Sequence, residues 1–374
     1  MKILLVGNYA PDRQESMLRY ATLLREGLEH AGHEVEYVAP RQVLNYSGRP
    51  ASGIWKWIGY VDKYLLHPAE LARAARKADV VHVCDHSNAV YVPASPRKPF
   101  VVTCHDLLAV RGAMGEETDC PASFAGRQLQ KSILSGLRRA HAVACVSGAT
   151  LRDAQRLMSG YAGELVVAPN SLNYPYRKLD AQVVRERLAQ ISALDGKREF
   201  VLNVGSNLRR KNRETALDAL ASIAGSWSGV FVFAGQPLSD ELRARAERLG
   251  ISDRIVEVPK PANELLEALY NGALALLFPS RFEGFGWPVI EAQACACAVI
   301  CSTVEPMREV AGGGAILCEP DDHQAFGRAI LELSQQPRRR EALVRAGLGN
   351  ALRYDRAVMI ERFVSLYDRV AGRA

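Results

Sequence analysis

Two glutamates in a glycine-rich segment are the residues of this sequence best placed to do chemistry. Residues 279–292 follow an apolar run and have the sequence Pro-Ser-Arg-Phe-Glu-Gly-Phe-Gly-Trp-Pro-Val-Ile-Glu-Ala. This order predicts a buried strand, a loop and then a helix, with Pro288 at the first helical position, where its missing N–H group is harmless. Gly284 and Gly286 let the backbone approach a ligand closely. The free N–H groups of the helix N-terminus would then bind phosphate or sugar oxygens.

The two acidic residues of this segment have several possible roles. Glu283 lies in the predicted loop and Glu291 in the first turn of the predicted helix. The alternative is that Glu283 is a solvated loop residue and Glu291 a partner of the helix dipole. A glycoside hydrolase pair is a further alternative, but eight helical steps span about 12 Å, beyond the roughly 5–9.5 Å that such a pair needs. Because part of the interval is loop, the spacing argues against this pair without excluding it.

A second segment carries cations at the end of another predicted strand. Residues 203–212, Asn-Val-Gly-Ser-Asn-Leu-Arg-Arg-Lys-Asn, lead into a helix predicted to begin at about Arg213. Gly205 frees the backbone, while Arg210 and Lys211 stand before a helix N-terminus, whose partial positive charge they oppose. Cations placed there need an anion, and one charge pair 4 Å apart is worth about 4 kcal/mol at an effective dielectric of 20, before desolvation. The pattern predicts a diphosphate site, with solvated surface charge as the alternative.

The elements that position these segments follow from the alternation of short β-branched runs with amphipathic stretches. Strands are predicted at 3–6, 34–39, 79–84, 100–104, 142–146, 200–204, 230–234, 254–258, 273–278 and 299–302, and helices at 17–30, 124–139, 213–224 and 240–249. This alternation predicts parallel sheets covered on both faces. Because the series restarts at residue 200, after a polar stretch without a strand, we expect two doubly wound domains. Ligands should bind at the carboxyl ends of the strands, in the cleft between the domains.

Length and composition exclude several classes of protein. The chain has 374 residues, 48% of them hydrophobic and 24% charged, which is typical of a folded globular protein with two domains. The longest apolar runs are too short to cross a bilayer, and the first residues lack the features of a signal peptide. A cytoplasmic protein is therefore expected.

The net charge of +6 is concentrated in the first half of the chain. Residues 1–180 contain 22 Lys or Arg against 17 Asp or Glu, and the remainder 25 against 24. A modest local excess suits an acidic ligand or an anionic membrane surface, whereas a nucleic-acid-binding protein would show denser basic clusters. We therefore expect no nucleic acid partner.

The eight cysteines are predicted to be reduced. Most lie in strings of Val, Ala and Ile, where a thiol packs as a small hydrophobe. Cys295, Cys297 and Cys301 have neither the spacing of a four-ligand site nor a nearby histidine. The sequence therefore predicts no metal site.

Motifs along nearly the whole chain match one known family. Glu283 and Glu291 form an E-x7-E arrangement, and the Gly-Ser-Asn-Leu-Arg-Arg-Lys-Asn segment precedes them. Further matching segments, in the order and at the spacing of the family, are 1–6, 32–35, 79–82, 103–106, 146–147, 169–170 and 307–312. In these residues the chain resembles the retaining GT-B glycosyltransferases of glycosyltransferase family 4. The resemblance implies an α/β protein with two Rossmann-like domains facing across a cleft.

The resemblance also implies a nucleotide-diphosphate sugar, either UDP- or GDP-linked, as the donor. By position, Glu291 would bind the ribose and Glu283 the donor sugar, while Arg210 and Lys211 would neutralise the diphosphate leaving group, where charge develops during transfer. The nucleotide-sugar site would also contain Gly205, Ser206, Gly284, Phe285 and Gly286. The family implies no cofactor and no obligatory metal, and departure and attack on one face of the sugar. No carboxylate nucleophile is assigned.

Three residues of the first half match or depart from the family pattern. His105 falls on the position of a cleft histidine near the transferred sugar, where it could donate a hydrogen bond to the sugar or handle the acceptor proton. A structural histidine is the alternative. Glu15 and Ser16 replace the usual Gly-Gly pair that opens the first helix. Since Glu15 would repel a diphosphate, this loop is expected either to turn toward the acceptor or to carry less of the phosphate.

Four segments are predicted from the resemblance and the pattern together. They are an acceptor-binding domain at 1–175, a linker at 176–198, a nucleotide-sugar-binding domain at 199–354 and a helix at 355–374 that returns to the first domain. A stretch rich in tryptophan and lysine at 54–66 could lie on the inner face of the membrane, with Lys56 and Lys63 at the headgroups. Packing of Trp55 and Trp57 beneath the first sheet is equally compatible with the sequence.

The sequence thus predicts an enzyme that transfers a sugar to a glycan or lipid-linked acceptor for surface polysaccharide. A catalytically silent homologue that binds a nucleotide sugar is the alternative, favoured by Glu15 and Ser16 and opposed by the intact Glu283, Lys211 and His105.

Overall fold

The structure is a computed structural model that describes residues 1–45, 53–194 and 198–372. Its contacts divide the chain into two compact units: a first unit of Met1–Asn173 and Arg356–Ala374, and a second unit of Tyr174–Asp355. Each unit contains a six-stranded sheet in which all paired strands are parallel. The α/β class with two doubly wound parallel sheets, predicted from the sequence, is confirmed.

The first unit has the strand order β2-β1-β3-β4-β5-β6. Its strands are β1 (Lys2–Val6), β2 (Glu34–Val38), β3 (Val80–Val83), β4 (Phe100–Cys104), β5 (Ala142–Cys145) and β6 (Glu164–Val167). Its helices before the second unit are α1 (Glu15–His30), α2 (Ile54–Val61), α3 (His67–Ala75), α4 (Leu108–Ala113), α5 (Phe124–Arg139) and α6 (Gly148–Leu157). A short π-helical turn over Asp62–Leu66 joins α2 to α3. Strands β3, β4 and β5 are buried along their whole length, as expected where helices cover both faces of a parallel sheet.

The second unit has the strand order β12-β11-β10-β7-β8-β9. Its strands are β7 (Phe200–Gly205), β8 (Val230–Gly235), β9 (Ile255–Pro259), β10 (Ala275–Phe278), β11 (Ala298–Ser302) and β12 (Ala315–Cys318). Its helices are α7 (Ala181–Leu188), α8 (Arg213–Ser222), α9 (Asp240–Arg248), α10 (Asn263–Gly272), α11 (Trp287–Ala294), α12 (Met307–Ala311), α13 (His323–Gln335) and α14 (Pro337–Ala351). The order reverses between β7 and β10, because β8 and β9 extend the sheet on one side and β10 begins the other.

The segment predicted as a linker, 176–198, belongs to the second unit. It includes α7, and Arg187 on this helix forms an ion pair of 2.8 Å with Glu267. Residues 195–197 of this prediction lie outside the described residues.

The last helix, α15 (Arg356–Val370), belongs to the first unit. Its Met359, Phe363, Leu366 and Tyr367 are buried. Arg356 at its start contacts Glu26 on α1, with an N–O distance of 3.1 Å. The prediction for 355–374 extends to residues 373–374, which lie outside the described residues.

Candidate functional site

The loop after β7 carries the predicted cations. β7 ends at Gly205, a single 3₁₀ turn covers Arg209–Lys211, and α8 begins at Arg213, the predicted start. The residue before α8, Asn212, has a left-handed backbone (φ 54°). Its side-chain amide donates hydrogen bonds to the carbonyls of Pro279 (3.0 Å) and Pro320 (2.7 Å). The loop after β7 is therefore fixed against the loop after β10.

Arg210 and Lys211 converge on Glu283. Lys211 Nζ lies 2.6 Å from Glu283 Oε1, and an Arg210 guanidinium nitrogen lies 3.1 Å from Oε2. Glu283 is 7% exposed, so the alternative that it is a solvated loop residue is wrong. Because Lys211 is paired with this buried carboxylate, the alternative that Lys211 is a solvated surface charge is also wrong. The anion that these cations require is, in this structure, the carboxylate of Glu283.

Burial and charge act in opposite directions on this cluster. Burial alone would raise the pKa of Glu283, but Lys211 and Arg210 outweigh it and hold the pKa below its ordinary value. Burial lowers the pKa of Lys211, against the opposing effect of Glu283. Since two cations face one carboxylate, the cluster keeps a surplus of positive charge.

This cluster lies at the topological switch point of the second sheet. The loops after β7 and β10 leave adjacent parallel strands at the place where the strand order reverses. In doubly wound sheets such a place forms a crevice outside the carboxyl ends of the strands, where ligands bind. Gly205 is the last residue of β7, and Ser206 follows it directly.

Arg213 is a functional candidate that the sequence analysis missed. Its side chain is buried and donates to the carbonyls of Gly205 (2.8 Å) and Gln236 (2.7 Å) and to the side chain of Asn207 (2.8 Å). Burial lowers its pKa to about 10. Arg213 therefore fixes the loop and adds a positive charge beneath it. Its position next to Lys211 and Asn212 was the available signal.

Glu291 lies in the second turn of α11, because this helix begins at Trp287 with Pro288 in second place. The placement of Glu291 in the first turn, and with it the dipole-partner alternative, is wrong. Glu291 is buried, and its Oε2 accepts a hydrogen bond of 2.8 Å from the hydroxyl of Tyr270 on α10. Burial raises the pKa of Tyr270, so the phenol keeps the proton that it donates.

The residues between the two glutamates set the start of α11. Gly286 caps the helix with φ 101°, and an added Cβ would lie 2.5 Å from Met307 Cε. The left-handed φ favours glycine at this position, because other side chains rarely adopt it. The ring of Phe285 is buried and packs edge-on against Tyr354, 5.6 Å between centroids. Gly284 precedes it in the same loop. The Phe285 side chain is thus part of the core, and only its backbone is available for a ligand.

His105 follows β4 in the first unit. Its Nε2 lies 2.9 Å from the carbonyl oxygen of Cys84 and donates to it, so in the neutral ring Nδ1 is an acceptor. Burial lowers the pKa of His105, while Asp85 acts in the opposite direction. Nδ1 has no hydrogen-bond partner among the described residues. The ring is therefore suited to receive a proton at Nδ1, which favours the predicted handling of an acceptor proton over donation to a sugar.

A buried polar chain behind His105 was not predicted. His82 contacts the Tyr367 hydroxyl through Nδ1 (2.5 Å) and Thr103 Oγ1 through Nε2 (2.7 Å). Thr103 Oγ1 is 2.9 Å from the hydroxyl of Tyr20, whose ring lies edge-on to His105 at 4.7 Å. A histidine and a threonine within apolar strands were the available signals, because buried polar side chains need partners.

The loop after β1 is held by hydrogen bonds from the side chain of Asn8, whereas the loop after β7 carries ion pairs to Glu283. Asn8 donates from its side-chain amide to Asp85 (2.5 Å) and to Gln14. Glu15 is the first residue of α1, and both Glu15 and Ser16 are exposed. The structure thus places these two residues at the beginning of the helix, after a loop that is closed by side-chain hydrogen bonds.

The predicted membrane stretch is divided between surface and interior. Ile54 and Trp57 on α2 are 69% and 66% exposed, Trp55 is half-buried and Lys56 is exposed. Packing of Trp57 in the core is therefore wrong.

Placement of Lys63 at a headgroup surface is also wrong. It is buried, with Nζ 2.9 Å from Asp12 Oδ2 and 5.0 Å from the ring centroid of Tyr60.

The described part of the chain has three further properties that bear on function. It contains no helix that is both long and apolar enough to span a bilayer, and no group of three or more His, Cys, Asp or Glu residues arranged to hold a metal ion. All eight cysteines have free thiols, and all but Cys120 are buried.

Two family models match this chain. Glycosyltransferase Family 4 matches residues 17–174 and Glycosyl transferases group 1 matches residues 184–348. The first match contains β2 to β6 of the first sheet, and the second contains all six strands of the second sheet. His105 lies within the first match, and the candidate residues from Gly205 to Glu291 lie within the second. Glu15 and Ser16 lie outside both matches.

Curated relatives and solved structures agree with these matches. A D-inositol 3-phosphate glycosyltransferase of Segniliparus rotundus is 29% identical over 268 residues, which are 68% of this chain and only 58% of that relative. The O-antigen chain mannosyltransferase B of Escherichia coli is 27% identical over 332 residues, 84% of this chain and 83% of the relative. The structure of Anabaena Alr3699/HepE in complex with UDP superposes with a TM-score of 0.77 at 16% identity, covering 99% of this chain and 100% of that one. This last similarity concerns the fold.

Proposed function

Because the chain belongs to glycosyltransferase family 4, we propose that it transfers a sugar from a UDP- or GDP-sugar to a glycan or lipid-linked acceptor. Transfer retains the anomeric configuration and requires no metal. The observation that carries this proposal is the convergence of Arg210 and Lys211 on the buried Glu283 at the switch point of the second sheet.

The cluster supports a donor site because its charges can be rearranged by a diphosphate. A diphosphate that approaches Lys211 and Arg210 competes with Glu283 for both cations, and charge-assisted hydrogen bonds to phosphate are strong. The carboxylate released from Lys211 would then accept hydrogen bonds from sugar hydroxyls. Arg213 holds the loop carbonyls throughout, so the cations need not be repositioned as the leaving group gains charge.

The nucleoside end of the donor is assigned to Glu291. Its carboxylate already accepts one hydrogen bond from Tyr270, which fixes its orientation. Ribose hydroxyls would donate to this carboxylate, whose two oxygens can accept several hydrogen bonds. The N–H groups at the start of α11, next to Phe285 and Gly286, would bind oxygens of the donor sugar or the phosphate.

His105 is assigned to the acceptor hydroxyl. With Nε2 committed to Cys84, Nδ1 is the atom that would take the proton as the hydroxyl attacks the sugar carbon. The bond from that carbon to the diphosphate oxygen breaks on the same face, and Lys211 and Arg210 stabilise the departing charge.

The class of acceptor is proposed from the relatives. One is named an O-antigen chain mannosyltransferase, which supports a role in surface polysaccharide synthesis at the cytoplasmic face of a membrane. The exposed Ile54 and Trp57 with Lys56 support a weak contact of α2 with an anionic bilayer. Trp57→Ala should weaken binding to anionic vesicles, and added salt should weaken it further. Leu352→Ala, an equally exposed apolar residue of the second unit, is the matched control.

Binding of nucleotides tests the donor site directly. We expect Lys211→Gln to weaken binding of UDP or GDP by about 10- to 100-fold, as one charge-assisted contact is worth 1.5–3 kcal/mol, and to leave binding of the nucleoside nearly unchanged. Arg209→Gln is the matched control, since Arg209 is exposed in the same turn. Equal losses for nucleotide and nucleoside would contradict the assignment.

Turnover separates an enzyme from a silent homologue. We expect release of nucleoside diphosphate from a UDP- or GDP-sugar, and a large loss of this activity in His105→Ala with nucleotide affinity retained. Nucleotide binding without any turnover, across a panel of glycan and lipid-linked acceptors, would favour the silent homologue instead.

A further inference from the structure

A groove in the first unit lies apart from all the residues discussed so far. It has a volume of about 620 Å³ and runs between α3 and the connection that leads into β4. Its walls are mainly apolar, with Leu71, Ala72 and Ala75 on the helix and Val90 and Pro93 on the connection. A volume in this range is that of a site for a small molecule.

The groove carries positive charge at three points. Arg76, Arg97 and Lys98 line it, and no acidic side chain does. In the described part of the chain, none of these three cations forms an ion pair or a side-chain hydrogen bond with another residue. A mainly apolar groove with three unpaired cations is complementary to a ligand that is apolar along its length and anionic at one end.

Two buried polar side chains, one that lines the groove and one next to it, have no hydrogen-bond partner among the described residues. Tyr91 lines the groove, is 8% exposed, and its hydroxyl has no hydrogen-bond partner among the described residues. The neighbouring His67 is 2% exposed, its ring lies 5.0 Å from that of Tyr91, and neither of its nitrogens has a partner within the same set of residues. Buried polar groups of this kind are rare without a ligand or a water to satisfy them.

The groove is separate from the candidate site of the same unit. Phe100, the first residue of β4, lines it, whereas His105 follows the last residue of that strand. Four strand steps of about 3.3 Å place the two ends about 13 Å apart. The groove is therefore at the amino end of the strand, opposite the edge where His105 lies.

We propose that this groove binds one molecule of a single-chain lipid with an anionic head group. The acyl chain lies along Leu71, Ala72 and Ala75, and the head group lies at Arg97 and Lys98.

Titration calorimetry with dodecyl phosphate, below the concentration at which it aggregates, tests the proposal on the full chain. One molecule should bind per chain. Dodecyltrimethylammonium, which has the same chain and the opposite charge, and ethyl phosphate, which has the charge without the chain, should bind at least about tenfold more weakly. Equal binding of the cationic amphiphile would overturn the proposal.

Variants locate the binding in the groove. Ala72→Trp fills the groove from an exposed helix position and should abolish binding, whereas Ala69→Trp, exposed on the same helix outside the groove, should not. Arg97→Gln with Lys98→Gln should weaken binding of dodecyl phosphate by about tenfold or more, and Arg73→Gln, outside the groove, should leave it unchanged. Unaltered binding in both Ala72→Trp and the double variant would refute the assignment.

Discussion

The two sheets differ most at the same topological position, the loop that follows the first strand of each. After β7, two cations share one buried carboxylate, and the loop keeps a positive surplus. After β1, Asn8 bonds to Asp85, and the carboxylate of Asp12 is paired with Lys63. The loop of the first unit contains one acid and one cation, Asp12 and Arg13, and its acid is paired with Lys63 of the π-helical turn. The buried carboxylate that two cations share after β7 supports the second unit as the proposed site of the donor diphosphate.

We expect the largest effect when the excess of positive charge around Glu283 in the second unit is removed. Lys211→Ala leaves Glu283 with Arg210 alone and removes the cation that lies closer to this carboxylate. We expect turnover of the nucleotide sugar to fall by about 10²- to 10³-fold, the usual loss when one preorganised donor is removed. Steady-state kinetics measures it, with Arg209→Ala as the control. A fall of less than fivefold would mean that the cluster is structural.

The second prediction compares the two units in acid. Burial lowers the pKa of His82 in the first unit to about 3, below its unfolded value near 6.5. The unfolded chain therefore binds the extra proton first, and the stability contributed by neutral His82 is present above about pH 6.5 and lost as the pH falls toward 3. Between pH 6.5 and 4.5 this amounts to about 2–3 kcal/mol.

The corresponding group in the second unit responds later. The pKa of Glu283 is held low by Lys211 and Arg210 against burial, so its contribution is lost only below the unfolded value near 4.3. Hydrogen exchange followed by mass spectrometry at pH 6.5 and 4.5 should show that the first unit is destabilised before the second. His82→Gln should flatten the dependence in the first unit. The reverse order of destabilisation would contradict the comparison.

The third prediction concerns the cation of the first unit. Lys63→Met removes the partner of Asp12 and a charge that lies over the Tyr60 ring. Because Asp12 keeps some access to solvent, we expect a loss of about 2 kcal/mol in unfolding free energy, below the 3–5 kcal/mol of a fully buried pair. Affinity for UDP or GDP should be unchanged. Lys56→Met, on the exposed face of α2, should have no effect on stability in the same denaturation assay.

The smallest expected effect tests the polar chain behind His105. Tyr367→Phe removes one hydroxyl and leaves His82 Nδ1 without its partner. We expect a loss of about 1–2 kcal/mol in stability of the first unit, the range for one buried hydrogen bond, measured by urea denaturation. Tyr60→Phe, on the same unit but half-exposed, is the control and should change stability by less than half of that.

The central strands of both sheets and the loop after β7 could be predicted from the sequence, because they depend on local patterns. The central strands were found from continuous apolar runs, and the loop and helix after β7 were found from glycine and cations in sequence. Strands β6 and β12 were missed. Both are edge strands, mostly half-buried, and only four residues long.

The contacts of the candidate site could not be predicted in the same way. Glu283 was expected at a sugar and is found on Lys211, which is 72 residues away in sequence. His82 and Tyr367 are separated by 285 residues. Such pairs depend on how two loops or a strand and a distant helix are brought together, and no local pattern contains this information. Lys63 was misplaced for a related reason, because its partner Asp12 lies in a loop far along the chain.

The return of α15 to the first unit reverses the order in which a ribosome can complete the two units. The segment Tyr174–Asp355 contains all of the second unit, so it can fold as soon as it leaves the exit tunnel. The first unit emerges earlier but waits for Phe363 and Tyr367 to cover its sheet and to meet His82. The first unit is therefore translated first but completes its fold last. A nascent chain that stops before residue 356 would contain a folded second unit and a first unit that lacks α15, and chaperones would meet the incomplete unit.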